Sequence, residues 1–325
     1  MDRFEHRPVM VDRIVELLGQ VPPGVLVDAT VGGGGHAGAV LAAHPRLRLV
    51  GVDQDDQALA AAAEALAPFG DRVVLRQARF DRLQHVLEVL DEHRVSAVLF
   101  DLGVSSPQFD RPDRGFSYRH EGPLDMRMNR NQARTAGDVV NTYSEANLEA
   151  VLRRFGDERY ARRIARAIVN ARPVSTTVEL ADVVRDAIPA PARRRGGHPA
   201  RRTFQALRIE VNEELAILAP SIDAAIDLLV PGGRAAVLAY HSGEDRIVKD
   251  RFREAATGGC TCPPQLPCQC GAVAKVRLLR RGAWKPGPEE LADNPRASSA
   301  RLRAVERLAA AADETPPGRD PPEHP

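Results

Sequence analysis

Residues 27–38 read VDATVGGGGHAG, and the fold turns on how this stretch is understood. Four successive glycines, Gly32 to Gly35, are costly in an ordered backbone, because glycine loses the most conformational freedom on folding and packs no side chain. Such a run is kept where the chain must turn tightly or where something must approach the main chain closely. The residues before it, VLVDA (25–29), form a short buried strand, and a helix begins near Ala37. The loop therefore joins a strand to a helix, and Gly33-x-Gly35-x-x-Gly38 formally matches a dinucleotide fingerprint.

Outward from the loop the pattern repeats. LRLVGVD (47–53) is a second strand, QALAAAAEALAPF a helix and RVVLRQ (72–77) a third strand. DRLQHVLEVLDEH (81–93) is an amphipathic helix and SAVLFD (96–101) a fourth strand. Strands alternating with helices of this length specify βαβ units and a parallel sheet. From about Arg114 to Leu218 the periodicity is helical instead, with Leu148, Val151, Leu152 and Phe155 at helix spacing and Gly156 as a break. The βα pattern resumes in DAAIDLLVPGGRAAVLAYHS, which predicts a helix, a turn and a strand over 234–240. A helix follows around 244–256, and KVRLLRR (275–281) supplies a last strand.

The expected organisation is an α/β core over 1–113 and 218–305, interrupted by a helical domain over 114–217. The proline-rich tail over 306–325 is expected to be disordered. Lys and Arg (45) nearly balance Asp and Glu (44), so total charge does not announce a nucleic-acid partner. The charged start, MDRFEHRPVM, lacks the apolar core of a secretory signal, and no window is long and apolar enough for a membrane span. A cytoplasmic protein without a membrane partner is the expectation.

The glycine loop alone fits either an NAD enzyme or a class I methyltransferase that uses S-adenosylmethionine. Asp28, at the end of the first strand, would repel a pyrophosphate but attract the ammonium and sulfonium of S-adenosylmethionine. The stretch leaving the fourth strand, DLGVSSPQ (101–108), lies where substrate chemistry belongs in a parallel α/β sheet. These features favour S-adenosylmethionine as the cofactor. Asp53, closing the second strand, is placed to accept hydrogen bonds from ribose hydroxyls.

Taken together, HRPVM (6–10), DATVGGGGHAG (28–38), GVDQD (51–55), DLGVSSPQFD (101–110) and RGFSYRHEGPLDMRM (114–128) resemble one family closely. ERYARRIARAI (158–168), HPARRTFQALRIEVNEEL (198–215), PGGRAAVLAYHSGEDRIVK (231–249) and NPRASSARLR (294–303) extend the likeness from about residue 5 to 305. The family is that of the bacterial 16S ribosomal RNA cytosine-N4 methyltransferases (RsmH or MraW). The resemblance implies a Rossmann-like class I methyltransferase core with an inserted helical domain. It also implies methylation of the exocyclic N4 of a cytidine in the decoding centre (P site) of 16S rRNA. The implied partner is that rRNA within the small ribosomal subunit or a late precursor, not DNA. Carried over by position, the cofactor contacts are Gly33, Gly34, Gly35 and His36 in the loop, Asp53, Phe80, Asp101 and Gln108. One departure stands out: where the family reads FHSLEDRIVK, this chain has Tyr240 and Gly243.

An exocyclic amine is a poor nucleophile, because its lone pair is delocalised into the ring. N-methylation requires a base taken out of its stack and aimed in line with the methyl donor, with no covalent enzyme–base intermediate. All four cysteines lie between 260 and 270, away from the stretch after the fourth strand. Asp101 is the expected acceptor for the amine, with Ser105, Ser106 and Pro107 as a rigid turn and His241 as a candidate base. Arg193, Arg194, Arg195, Arg201 and Arg202 crowd one Gly- and Pro-containing loop and are expected to meet RNA phosphates. No metal is assigned, since Cys260-x-Cys262 and Cys268-x-Cys270 are spaced more tightly than the C-x₂₋₄-C of structural zinc sites.

Overall fold

Runs of buried β-branched and aliphatic residues set the strands, and turn chemistry sets where they stop. The computed structural model describes residues 8–193, 197–263 and 269–309. After helix α1 (Val11–Leu18), the chain runs β1 (Gly24–Asp28), α2 (Gly35–Ala43), β2 (Leu47–Asp53), α3 (Asp56–Leu66), β3 (Val73–Gln77), α4 (Leu83–Val89) and β4 (Val95–Asp101). The strands expected at 25–29, 47–53, 72–77 and 96–101 are thus present within a residue at each end. A short α5 (Ser106–Asp110) then leads into helices α6 (Ala136–Thr142), α7 (Glu145–Gly156), α8 (Ala161–Asn170), α9 (Thr177–Ala187), α10 (Ala190–Arg193) and α11 (Arg201–Asn212). Helix α12 (Glu214–Leu228) returns the chain to the sheet, followed by β5 (Leu229–Ala239), α13 (Ser242–Thr257), β6 (Val276–Leu278), α14 (Pro288–Asp293) and β7 (Arg301–Arg307).

The strands form one seven-stranded sheet in the order β3-β2-β1-β4-β5-β7-β6. Strands β1 to β5 pair in parallel, whereas β7 is antiparallel to both β5 and β6. Strand order reverses between β1 and β4, so their carboxyl ends, Asp28 and Asp101, flank the crevice where ligands bind in open α/β sheets. Strand β5 starts earlier than expected and absorbs the Pro231-Gly232-Gly233 turn. The register with β4 jumps there, and Gly232 takes φ +78°, a left-handed conformation natural to glycine. Strand β7 was not foreseen and runs past residue 305. Its charges alternate with Leu302 and Ala304, and Arg234 on β5 meets Glu306 at 2.9 Å.

Two apolar clusters cover the two faces of the sheet. Ile14, Leu41 and Leu66 belong to one, and Leu87, Ile222 and Phe252 to the other. A third cluster, built from Phe116, Val139, Leu152, Ile164, Leu180 and Phe204 among others, lies wholly within residues 116–211. The helices between α5 and α12 therefore carry their own core, and we propose residues 114–217 as a separate folding layer. Side-chain caps start three of them, from Thr135, Ser144 and Thr176, each contributing roughly 1 kcal/mol. No helix among the described residues is long and apolar enough to cross a membrane.

Candidate active site

The glycine loop is shaped by two left-handed residues, Gly32 (φ +51°) and Gly34 (φ +82°). Its glycines then do three different things. A Cβ on Gly34 would lie 3.0 Å from Leu66, and one on Gly35 would lie 2.6 Å from Pro8. A Cβ on Gly33 would meet no protein atom within 4 Å, because Gly33 faces an open cavity. Of the expected cofactor contacts, Gly33, Gly35, His36, Asp53, Phe80, Asp101 and Gln108 line that cavity. Gly34 does not; it turns the chain into α2 and packs on α3.

The cavity has a volume of about 990 Å³, at the upper end of the roughly 300–1,000 Å³ that small-molecule sites occupy. One wall is the carboxyl edge of the sheet. Asp53 accepts hydrogen bonds from the Gly32 amide through Oδ2 and the Asp55 amide through Oδ1, both at 2.9 Å. Phe80 meets Phe100 edge-on, with centroids 5.8 Å apart. Gln108 is held at both ends: its Oε1 accepts from the Ser105 amide (3.0 Å) and its Nε2 donates to Asp55 (2.8 Å). The Ser105 amide is therefore engaged by Gln108. Ser106 and Pro107 open α5.

Asp101 stands at the junction. Its amide donates to Thr30 Oγ1 (2.6 Å), its Oδ1 accepts from the Tyr240 hydroxyl (2.8 Å), and its Oδ2 faces His36 Nδ1 at 3.3 Å. The other nitrogen of His36 bonds the Val9 carbonyl at 2.9 Å. Burial alone would lower the His36 pKa, but the hydrogen bond and charge of Asp101 outweigh it and the net shift is upward. Tyr240 contributes a hydroxyl aimed at the central carboxylate. Burial and the Asp101 charge raise its pKa, keeping it a donor.

Beneath the loop, Asp28 is buried and accepts a hydrogen bond from the Thr30 amide (3.2 Å). Burial, helped by the charges of Asp101 and Asp53, pushes its pKa to about 7. Asp53 is pushed to about 6, again chiefly by burial. Asp53 and Asp101 thus line the floor, with Asp28 buried beneath it. Such a site suits a ligand carrying positive charge and disfavours a pyrophosphate.

The opposite wall comes from the helical layer. Tyr118 stacks on His198 (centroids 4.3 Å, planes 15° apart) and meets Phe204 edge-on at 5.6 Å. Arg119 and Arg201 are exposed beside them, and all five line the cavity. Of the five arginines expected to meet RNA, Arg201 is at this wall. Arg193 instead donates to the carbonyls of Ile188 and Asp186, and Arg202 to that of Asp157. Arg194 and Arg195 lie outside the described residues.

A buried ion pair ties the two walls. Arg114 meets Asp55 at 2.8 Å with both side chains almost fully buried. Within the helical layer itself, Asn212 accepts from the Met128 amide and donates to the Met126 carbonyl. Breaking a buried ion pair from one side costs roughly 3–5 kcal/mol, so the Asp55–Arg114 pair holds the walls firmly together. Sequence reasoning passed over both residues, although each sits in a quoted motif.

His241 lines the cavity but caps α13: its Nδ1 accepts from the amides of Gly243 (3.2 Å) and Glu244 (3.4 Å). Its Nε2 lies 3.1 Å from Glu244 Oε1, in range of the charge but misaligned for a hydrogen bond. A lone pair committed to two amides is not available to a substrate, so His241 is better placed to build the wall than to serve as the candidate base.

The profile of the MraW methylase family matches residues 3–308. The chain is 54% identical over 309 residues to "Ribosomal RNA small subunit methyltransferase H" of Thermobifida fusca (strain YX), covering 93% of each chain. It is 53% identical over 322 residues to the protein of the same name from Frankia alni, covering 96% of this chain and 98% of that one. With that of Heliobacterium mobile it shares 48% identity over 311 residues, covering 94% of this chain and 99% of the relative.

Proposed function

This chain belongs to the MraW methylase family, and from that premise we propose that it is an S-adenosylmethionine-dependent methyltransferase of small-subunit ribosomal RNA. The target is the exocyclic N4 of a cytidine in the decoding centre of 16S rRNA, met in the cytoplasm on the small subunit or a late precursor. The observation that carries this reading is the shared cavity. The Asp53 carboxylate and an open glycine floor lie on one side, with Asp28 buried beneath the loop; stacked aromatic and basic residues lie on the other, and Asp101 between them.

The residues present fit the cofactor. Gly33 leaves the space free, Asp53 and Phe80 flank the side towards β2 and β3, and Asp28, Asp53 and Asp101 supply a negative field. Bound there, S-adenosylmethionine supplies an electrophilic methyl group on a positively charged sulfur. The chain's own residues do the rest. Tyr118 and His198 offer an aromatic face on which an unstacked base can lie, while Arg119 and Arg201 meet its phosphates. Asp101, held by Tyr240 and His36, accepts a hydrogen bond from the exocyclic amine, localises its lone pair and receives the proton it sheds. Alignment of a bound base against a fixed carboxylate replaces a covalent intermediate.

The test is nucleoside mass spectrometry of 16S rRNA from a strain lacking the protein. N4-methylated cytidine should disappear on deletion and return with the wild-type chain. Undiminished N4-methylation in the deletion strain, or restoration at a ring carbon instead, would overturn the assignment.

A further inference from the structure

We propose that Cys260, Cys262 and Cys270 form a thiolate site for zinc or a similar soft divalent cation, in the loop between α13 and β6. Their three sulfurs lie within 4.8 Å of one another, and none of these residues lines the methyl-transfer cavity. The tight C-x-C spacing argues against a metal only while the pair is considered alone. The returning limb of the loop brings Cys270 beside Cys260 and Cys262, supplying a third sulfur that spacing along the chain does not reveal. Cys268 lies outside the described residues.

The loop needs a tie of this kind. It leaves α13 through Gly258 (φ +64°) and Gly259 (φ +74°), with the Cys260 amide on the Thr257 carbonyl at 3.2 Å. It rejoins the body where the Lys275 amide meets the Ala255 carbonyl at 2.8 Å. Among the described residues between these points there is little apolar anchorage: Cys260 and Cys262 are half-buried, Cys270 is exposed, and Val273 is 72% exposed. Ordering a long loop carries an entropic cost, which a metal bridging its two limbs offsets.

The chemistry of the cluster points the same way. The amides of Gln269 and Cys270 donate to Cys262, and the thiols of Cys270 and Cys260 lie within hydrogen-bonding reach of it. Amide donors around a sulfur are the outer-shell support that metal-bound thiolates use. An all-sulfur donor set selects zinc over hard cations such as magnesium or calcium. Three protein sulfurs leave the fourth tetrahedral position to a further donor.

The experiment uses the full-length protein purified under reducing conditions. Elemental analysis should find about one zinc per chain, as expected for a single tetrahedral site. After zinc removal, Co²⁺ titration should give a thiolate-to-cobalt charge-transfer band, lost in Cys262→Ser. S-adenosylmethionine affinity, read by calorimetry, should change less than about twofold, because the loop is separate from the cavity. Absence of both retained zinc and a cobalt band in the fully reduced wild-type chain would overturn the proposal. So would two thiols missing from a denatured, metal-free thiol count, which would mean a disulfide instead. If Cys262→Ser does not fold, the wild-type cobalt titration decides alone.

Discussion

The sheet-edge wall of the cavity and the helical wall are held on different terms. On the first, polar groups are already committed to one another: Asp53 to two amides, Gln108 to Ser105 and Asp55, and His36 and Tyr240 to Asp101. On the second, an aromatic stack stands beside exposed arginines. A wall fixed by internal hydrogen bonds suits one small, invariant ligand and a reacting atom. A wall of aromatic faces and long cationic side chains suits a large polyanion that arrives base first. Changes to the first wall should therefore act on cofactor binding and turnover, and changes to the second on RNA binding.

The sharpest way to break this division is at Asp101. Asp101→Asn keeps the shape but removes the charge proposed to receive the proton, so turnover should fall roughly 10²–10⁴-fold. Calorimetry should show a far smaller change in S-adenosylmethionine affinity. Normal turnover on small subunits from the deletion strain would remove Asp101 from the mechanism.

Two neighbouring glycines give the next largest contrast. Gly33→Val places a side chain in open cavity and should weaken S-adenosylmethionine binding about a hundredfold, ~2.7 kcal/mol, with little change in Tm. Gly35→Ala drives a methyl group towards Pro8 and should cost stability instead, roughly 1–3 kcal/mol by overpacking. Thermal melts and calorimetry on both variants should show opposite profiles. The same profile in both would mean that the loop does not divide its roles this way.

On the helical wall, Tyr118→Ala should raise KM for ribosomal substrate by a factor of roughly 5 to 150, the equivalent of ~1–3 kcal/mol of base stacking. Arg201→Ala should make the salt dependence of RNA binding shallower by about one unit of slope. S-adenosylmethionine affinity should survive both. A loss of cofactor binding in either would show that the walls are not separable.

The smallest expected effect is on pH. The raised pKa values of Asp28 (about 7) and Asp53 (about 6) mean that these groups are neutral in the folded protein at pH 5. Their contribution to stability is complete below the ordinary value of 3.8 and is lost as pH rises through 6 and 7. The ligand-free Tm should therefore fall across that window, while the emerging negative charge strengthens binding of the cationic cofactor severalfold. Asp28→Asn should flatten both trends. Affinity for S-adenosylmethionine that is flat between pH 5.5 and 8 in the wild-type chain would count against the carboxylate floor.

The sheet-edge wall was also the more legible in sequence. Glycine placement, strand-end carboxylates and alternating apolar runs are local signals, and they located β1 to β4, Asp53 and Asp101. What escaped depends on contacts across the fold. The Asp55–Arg114 pair joins two motifs that give no hint of touching. Tyr240 reads as a mild substitution until its hydroxyl is found on Asp101. Strand β7 hides among charges because its partner, β5, is distant in sequence. In the arginine-rich loop, a run of like residues looked like one surface, yet Arg193 and Arg202 bond backbone carbonyls while Arg201 lines the cavity.

The central claim is that the two walls meet over one reacting atom at Asp101. A crystal structure with S-adenosylhomocysteine and a cytidine nucleotide tests it most directly. The cofactor product should lie over Gly33 between Asp53 and Asp101, and the cytosine against Tyr118 with its exocyclic nitrogen within hydrogen-bonding distance of the Asp101 carboxylate. A cytosine bound outside the cavity, or one whose exocyclic amine faces away from Asp101, would contradict the account.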